Sequence, residues 1–277
     1  MTYFFKNVTN RFVLLALTAL LCLPLTAFGQ KSVYLEELTT QEVGTMLKNS
    51  PSVVIIPVGG TEQNGPHMAL GKHNARVKVL AGRIATQLTV QNINTIVAPV
   101  VSYVPEGNIN PPTEHMAFAG TISIPDEAFK SVLLSAARSF KQHGFTDIVL
   151  LGDSGNYQSL LSQVAQTFNQ NGSKSSARLH FIGDYYKAFQ SSYIAALKAK
   201  GLSDAEIGTH AGSADTSMLM AIDPAMVKPE KFAEAAKNGR AGGTLGDPRA
   251  SSAALGQIGL DAAVKMSVLA IHKAILK

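Results

Sequence analysis

Cysteine is almost missing from this sequence: Cys22 is the only one in 277 residues. Disulfides within the chain are excluded, and so is thiolate chemistry for everything downstream of that residue. Charge is sparse as well. Charged residues make up 16% and hydrophobic residues 46%, the balance of a packed globule and not of a disordered chain. The formal net charge of +5 gathers into no basic stripe, which removes the electrostatic case for nucleic acid as a partner. Repeats and low-complexity segments are absent. So is the G-x-S-x-G pattern of a nucleophile elbow: Gly152-Asp153-Ser154-Gly155 lacks one spacer residue, and Ser154 is set aside as a nucleophile.

What is present begins with a leader. Lys6 and Arg11 precede an apolar run from Phe12 to Phe28, broken by Pro24 and followed by Gly29. That layout reads as a cleavable secretory signal over residues 1–29, with residues 30–277 as a single domain. An uncleaved membrane anchor is the alternative. Cleavage removes Lys6 and Arg11, which takes the net charge from +5 to +3, and also removes Cys22. The expectation is therefore a cysteine-free protein, secreted or periplasmic, with no membrane partner once cleaved.

The body of the chain alternates two periodicities. Val53–Val58, Thr95–Val101, Asp147–Leu151 and Leu179–Ile182 read as buried strands. Between and after them, 74–89, 126–143, 157–168, 216–222 and 251–276 repeat apolar residues at helical spacing. Strands alternating with helices imply an α/β fold whose mostly parallel central sheet is covered on both faces. Ligands of such sheets bind outside the carboxyl ends of the strands. Glu62 follows the first strand and Asp153 the third, so both carboxylates are expected to face one crevice.

Four polar stretches carry candidate chemistry. The first, TEQNGPHMALGKHN from Thr61 to Asn74, sets Glu62 and His73 at the two ends of a glycine-bent loop. Carboxylate oxygen and imidazole nitrogen suit Zn, Mn or Fe, although Asn, Gly and Pro also compose ordinary surface turns. The second, LGDSGN from Leu151 to Asn156, offers Asp153 either as a strand-end acid or as a helix cap. In the third, GTHAGSADTS, His210 is a candidate general acid or base, and Asp215 a functional acid or an N-cap. The fourth, PTEHMAFAGTIS, holds Glu114 and His115 on a loop.

In this order the segments resemble the creatininase family of metal hydrolases. The family pattern P-x-G-[ST]-x-E-Q-H-G-P-H-L-P-L-G-x-D is met here by PVGGTEQNGPHMALGKH, and E-H-x-x-F-P-G-T by EHMAFAGT. The glycine motif N-G-H-G-G-N is met by LGDSGN, H-A-G-x-x-E-T-S by HAGSADTS, and a late G-D-P by Gly246-Asp247-Pro248. The resemblance implies a three-layer α/β/α sandwich, a homo-oligomer, and a metal site at the strand ends that cleaves C–N bonds of small molecules such as cyclic amides. Where the family has Asp this chain has His73, and where it has His this chain has Asp153, so the set Glu62, His73 and Asp153 keeps the same three ligand types. The family's second-ion ligands are Asn64 and Gly155 here, which points to one divalent ion in preference to two. On the same resemblance His210 and Asp215 are the catalytic pair, and Asn64, His67 and His115 line the substrate side. The alternatives are a small-molecule binding protein that kept the fold without catalysis, and a lactonase or peptidase using the same metal.

Overall fold

All seven residues of β1 (Ser52–Val58) are buried, as befits a strand covered on both faces. Side chains alternate across a strand, so β1 feeds two cores. Val53 and Ile55 join Val77, Leu80, Ile84 and Leu88 of α2 (Lys72–Val90) on one face. Val54, Ile56 and Val58 join Phe129 and Leu133 of α3 (Asp126–His143) on the other. Each such buried Val, Leu or Phe contributes roughly 1.5–3 kcal/mol of apolar transfer. The computed structural model describes residues 32–49, 52–170 and 177–276; the leader expected over 1–29 lies outside them.

The sheet is parallel throughout, in the order β2-β1-β3-β4, with β2 at Asn94–Val97, β3 at Asp147–Gly152 and β4 at Arg178–Phe181. A helix α1 (Thr40–Asn49) precedes β1, and α4 (Gln158–Gln170) joins β3 to β4. After β4 come α5 (Asp184–Ala188), a π-helical turn at Phe189–Tyr193, α6 (Ile194–Ala199), α7 (Asp204–Ile207), α8 (Ser213–Ile222), α9 (Phe232–Asn238) and α10 (Ala253–Ile275). α2, α5 and α10 cover one face, and α1, α3 and α4 the other. The expected three-layer α/β/α sandwich is the fold. α10 is apolar and long enough to cross a membrane, yet its Leu260, Ala263, Val264 and Ile271 are packed into the first core.

Chain order runs outward from β1 to β2 and then, in the opposite direction, from β3 to β4. The reversal lies between β1 and β3, which pair to their last residues, Val58 against Gly152. Loops leaving a sheet at such a reversal part to opposite faces and leave a crevice between them. Tyr157 stitches its floor: the hydroxyl donates to the Val58 carbonyl at 2.9 Å and accepts from the amides of Asp153 (3.1 Å) and Ser154 (3.0 Å).

Candidate active site

The crevice is a cavity of about 400 Å³ whose lining includes Glu62, Lys72, His73, Arg76, His115, Asp153, His210 and Asp215, with Phe118, Tyr186 and Phe189 as its aromatic wall. The three expected ligands do come together, but as hydrogen-bond partners. His73, at the start of α2, reaches Asp153 Oδ1 with Nδ1 (2.6 Å) and Glu62 Oε1 with Nε2 (2.8 Å). Burial and the Lys72 charge oppose protonation of this ring, but Glu62 and Asp153 outweigh them and raise its pKa. For Glu62, burial works against the charge, while His73 and Lys72 hold the carboxyl well below the usual range.

Asp153 is fully occupied. Its Oδ1 receives His73 and both Nε and Nη2 of Arg76 at 2.8 Å, and its Oδ2 receives Arg76 Nε (3.1 Å) and the Tyr185 hydroxyl. Burial raises its pKa, but Arg76 and His73 prevail and lower it. Asp215 receives Arg76 Nη1 (2.9 Å), Lys72 Nζ (3.2 Å) and the amide of Ala211 (3.1 Å). It faces the two cations, and the hydrogen-bond partner of His210 Nε2 is the Gln63 carbonyl.

A second convergence stands open to the cavity. Ligand atoms of Glu62, His115 and His210 all lie within 4.8 Å of one another. His210 Nε2 sits 3.0 Å from the Gln63 carbonyl oxygen, so the hydrogen-bond pattern places its proton there and leaves Nδ1 bare, 3.7 Å from Glu62 Oε1. Burial is the main cause that depresses the His210 pKa to about 4, and burial also lowers that of His115. Both rings are thus neutral near pH 7, the form a metal requires. One carboxylate oxygen and two neutral imidazoles fit a first-row divalent ion.

Gln63 organises these rings. Its backbone carbonyl accepts from His210 Nε2, its side-chain amide nitrogen lies 3.2 Å from His115 Nδ1, and its amide oxygen accepts from the Gly65 N–H at 3.0 Å. Behind it is Gly243, whose φ of +78° favours glycine and where a Cβ would lie 1.9 Å from Gln63 Oε1. Gly243→Ala is expected to push the amide off the His115 ring and weaken divalent-ion affinity by about 10–100-fold, the usual scale for outer-shell changes, readable by competition with a chelating dye.

Two residues expected at the substrate lie behind the cavity wall. Asn64 donates to the carbonyls of Glu62 (2.9 Å) and Ala69 (3.2 Å), tying its own loop together. His67 is wholly buried, with Nε2 3.0 Å from Thr216 Oγ1 and its ring edge-on to Phe232. Burial drives its pKa from 6.5 down to about 4. Between those values the unfolded chain binds the proton and the folded one does not, so His67 makes stability fall as pH drops from 6.5 toward 4. His67→Gln is expected to reduce the difference in melting temperature between pH 7 and pH 5.

Lys72, Arg76, Gln63 and Tyr185 are absent from the expected set. Arg76 had a signal: it follows His73 by three residues and precedes Leu80 by four, a cation on the apolar face of α2. Glu106 had none. It is buried beside Glu62 and accepts from Asn156 Nδ2 at 2.8 Å, and burial together with the Glu62 charge pushes its pKa up to about 8.

The model of the creatininase (creatinine amidohydrolase) family matches residues 36–271. The chain belongs to the creatininase family. It is accordingly a metal-dependent hydrolase of C–N bonds. Among curated proteins it is similar to the mycofactocin precursor peptide peptidase of Mycobacterium ulcerans, 29% identical over 253 residues that cover 84% of this chain and 89% of that one. Among solved structures it shares its fold with a creatininase described as the Mn form (TM-score 0.70, 21% identity, 88% of this chain and 99% of that one). A mutant creatininase of Zn-Zn type is likewise similar (TM-score 0.67, 22% identity, 88% and 98%).

Proposed function

We propose that this creatininase-family member hydrolyses the C–N bond of a small amide, cyclic or a short peptide, with one divalent ion held by Glu62, His115 and His210. The observation that carries the reading is the convergence of those three ligand atoms at the cavity floor. It moves the ion away from Asp153, whose oxygens are taken by Arg76, His73 and Tyr185. A bound ion supplies Lewis acidity to the carbonyl and brings the attacking water's pKa toward neutrality. Gln63 contacts both imidazoles, His210 through its backbone carbonyl and His115 through its side-chain amide, and His73 with Lys72 keeps Glu62 ionised. Lys72 lines the cavity and places a fixed positive charge beside the reacting region, where it favours negative charge developing on the carbonyl oxygen.

The cavity volume suits a drug-sized or smaller molecule. Peptidase and creatininase relatives bracket the substrate class, and a cyclic amide satisfies both the size and the polar floor. Action outside the cytoplasm, as a homo-oligomer, accords with the leader and the family resemblance. Elemental analysis of protein purified without chelators tests the core of the proposal. About one ion per chain is expected, its removal should abolish turnover, and Zn, Mn or Fe should restore it. Turnover that survives complete metal removal would sink the reading.

A further inference from the structure

Three of the acids that line the cavity divide into two sets. Glu62 opens onto the cavity with His115 and His210. Asp153 and Asp215 form the other set with His73, and this one is already filled. Arg76 points Nε and Nη2 at Asp153, both 2.8 Å from Oδ1, and Nη1 at Asp215 Oδ1, 2.9 Å away, so one guanidinium spans two carboxylates. Lys72 Nζ continues the bridge, 3.2 Å from Asp215 Oδ2 and 3.4 Å from Glu62 Oε1. The two cations lie four residues apart in the first turns of α2 and share a helix face. Both are buried, Lys72 to 1% exposure and Arg76 to 2%.

We propose that Lys72 and Arg76 are built-in stand-ins for a second divalent ion, holding Asp153, Asp215 and Glu62 in register by side-chain charge and restricting the site to one ion. The planar, always-charged guanidinium is suited to this because its donors face two carboxylates at once. An entering ion would have to expel Arg76 from paired, buried contacts, and it would meet the Lys72 ammonium beside Glu62. The inference rests on the proposed function in treating the site as ion-holding, but it concerns only the second position.

The test compares the full chain with Arg76→Ala and Lys72→Met, each equilibrated by dialysis against Mn(II) and analysed for manganese per chain, with circular dichroism to confirm folding. One ion is expected in the unaltered chain and two in Arg76→Ala, which opens Asp153, Asp215 and His73. Two ions in the unaltered chain overturn the proposal, as do folded variants that never exceed its count. No ion in the unaltered chain and one in Arg76→Ala leave this proposal standing and remove the assignment of Glu62, His115 and His210. If neither variant folds, the count in the unaltered chain decides: one ion supports the proposal, and two or none overturn it.

Discussion

Glu62→Ala is expected to lose the ion and to lower turnover by about 1,000-fold or more. The magnitude follows from what the carboxylate holds. Lewis-acid assistance supplies several kcal/mol of transition-state stabilisation, and each 1.4 kcal/mol is a factor of ten in rate. Glu62 is the only acid among the three converging ligands, and His115 and His210 alone leave a divalent ion without an anionic partner. The same change removes a partner from His73 and from Lys72, so some loss of stability accompanies it. Glu62→Gln separates the two effects: it keeps the side chain's shape and removes its charge. Both variants should fold, by circular dichroism, and both should be metal-poor by elemental analysis. Full activity in either would rule out the ligand assignment.

The largest stability effect should come from Asp153→Ala. This carboxylate is fully buried and is the shared acceptor of Arg76, His73 and Tyr185. Truncating one partner of a buried ion pair strands the other charge, at a cost of about 3–5 kcal/mol. For a chain of this size the melting temperature should fall by about 6–20 °C. Asp153→Asn should recover part of that loss, because the amide oxygen still accepts while the negative charge is gone. Differential scanning calorimetry on the three proteins orders them. A fall of only a degree or two in Asp153→Ala would mean that water reaches Arg76 and that the cluster is more open than its geometry shows.

Much of the fold was legible because periodicity and burial agree. The helix expected over 126–143 ends at Gly144, whose φ of +100° is the left-handed stop that the glycine signalled. β2 stops at Val97, short of the expected Val101, because the strand beyond it keeps only an isolated bridge between Val58 and Val101. α1 escaped the apolar pattern although Thr39 and Glu42 form a reciprocal cap, with bonds of 2.8 and 3.3 Å, of the kind spelled T-x-x-E. In the site, the strand-end rule located Glu62 and Asp153 correctly in space. It was silent on chemistry, because whether a carboxylate meets an ion, an imidazole or a guanidinium depends on residues far away in sequence. Asp215 reaches Arg76 across 139 positions and Gln63 reaches His210 across 147. No local pattern encodes such pairs.

The opening of α2 has a consequence for dynamics. Its N-cap is Gly71 with no side-chain cap, its first turn has no acid, and Lys72, His73 and Arg76 crowd the end where a helix dipole favours negative charge. On its own such a start should fray. Glu62, Asp153 and Asp215, all supplied from other segments, furnish the missing countercharge. Amide hydrogen exchange in the first turn of α2 should therefore report on those acids, slow while all three are in place and faster when any one is replaced.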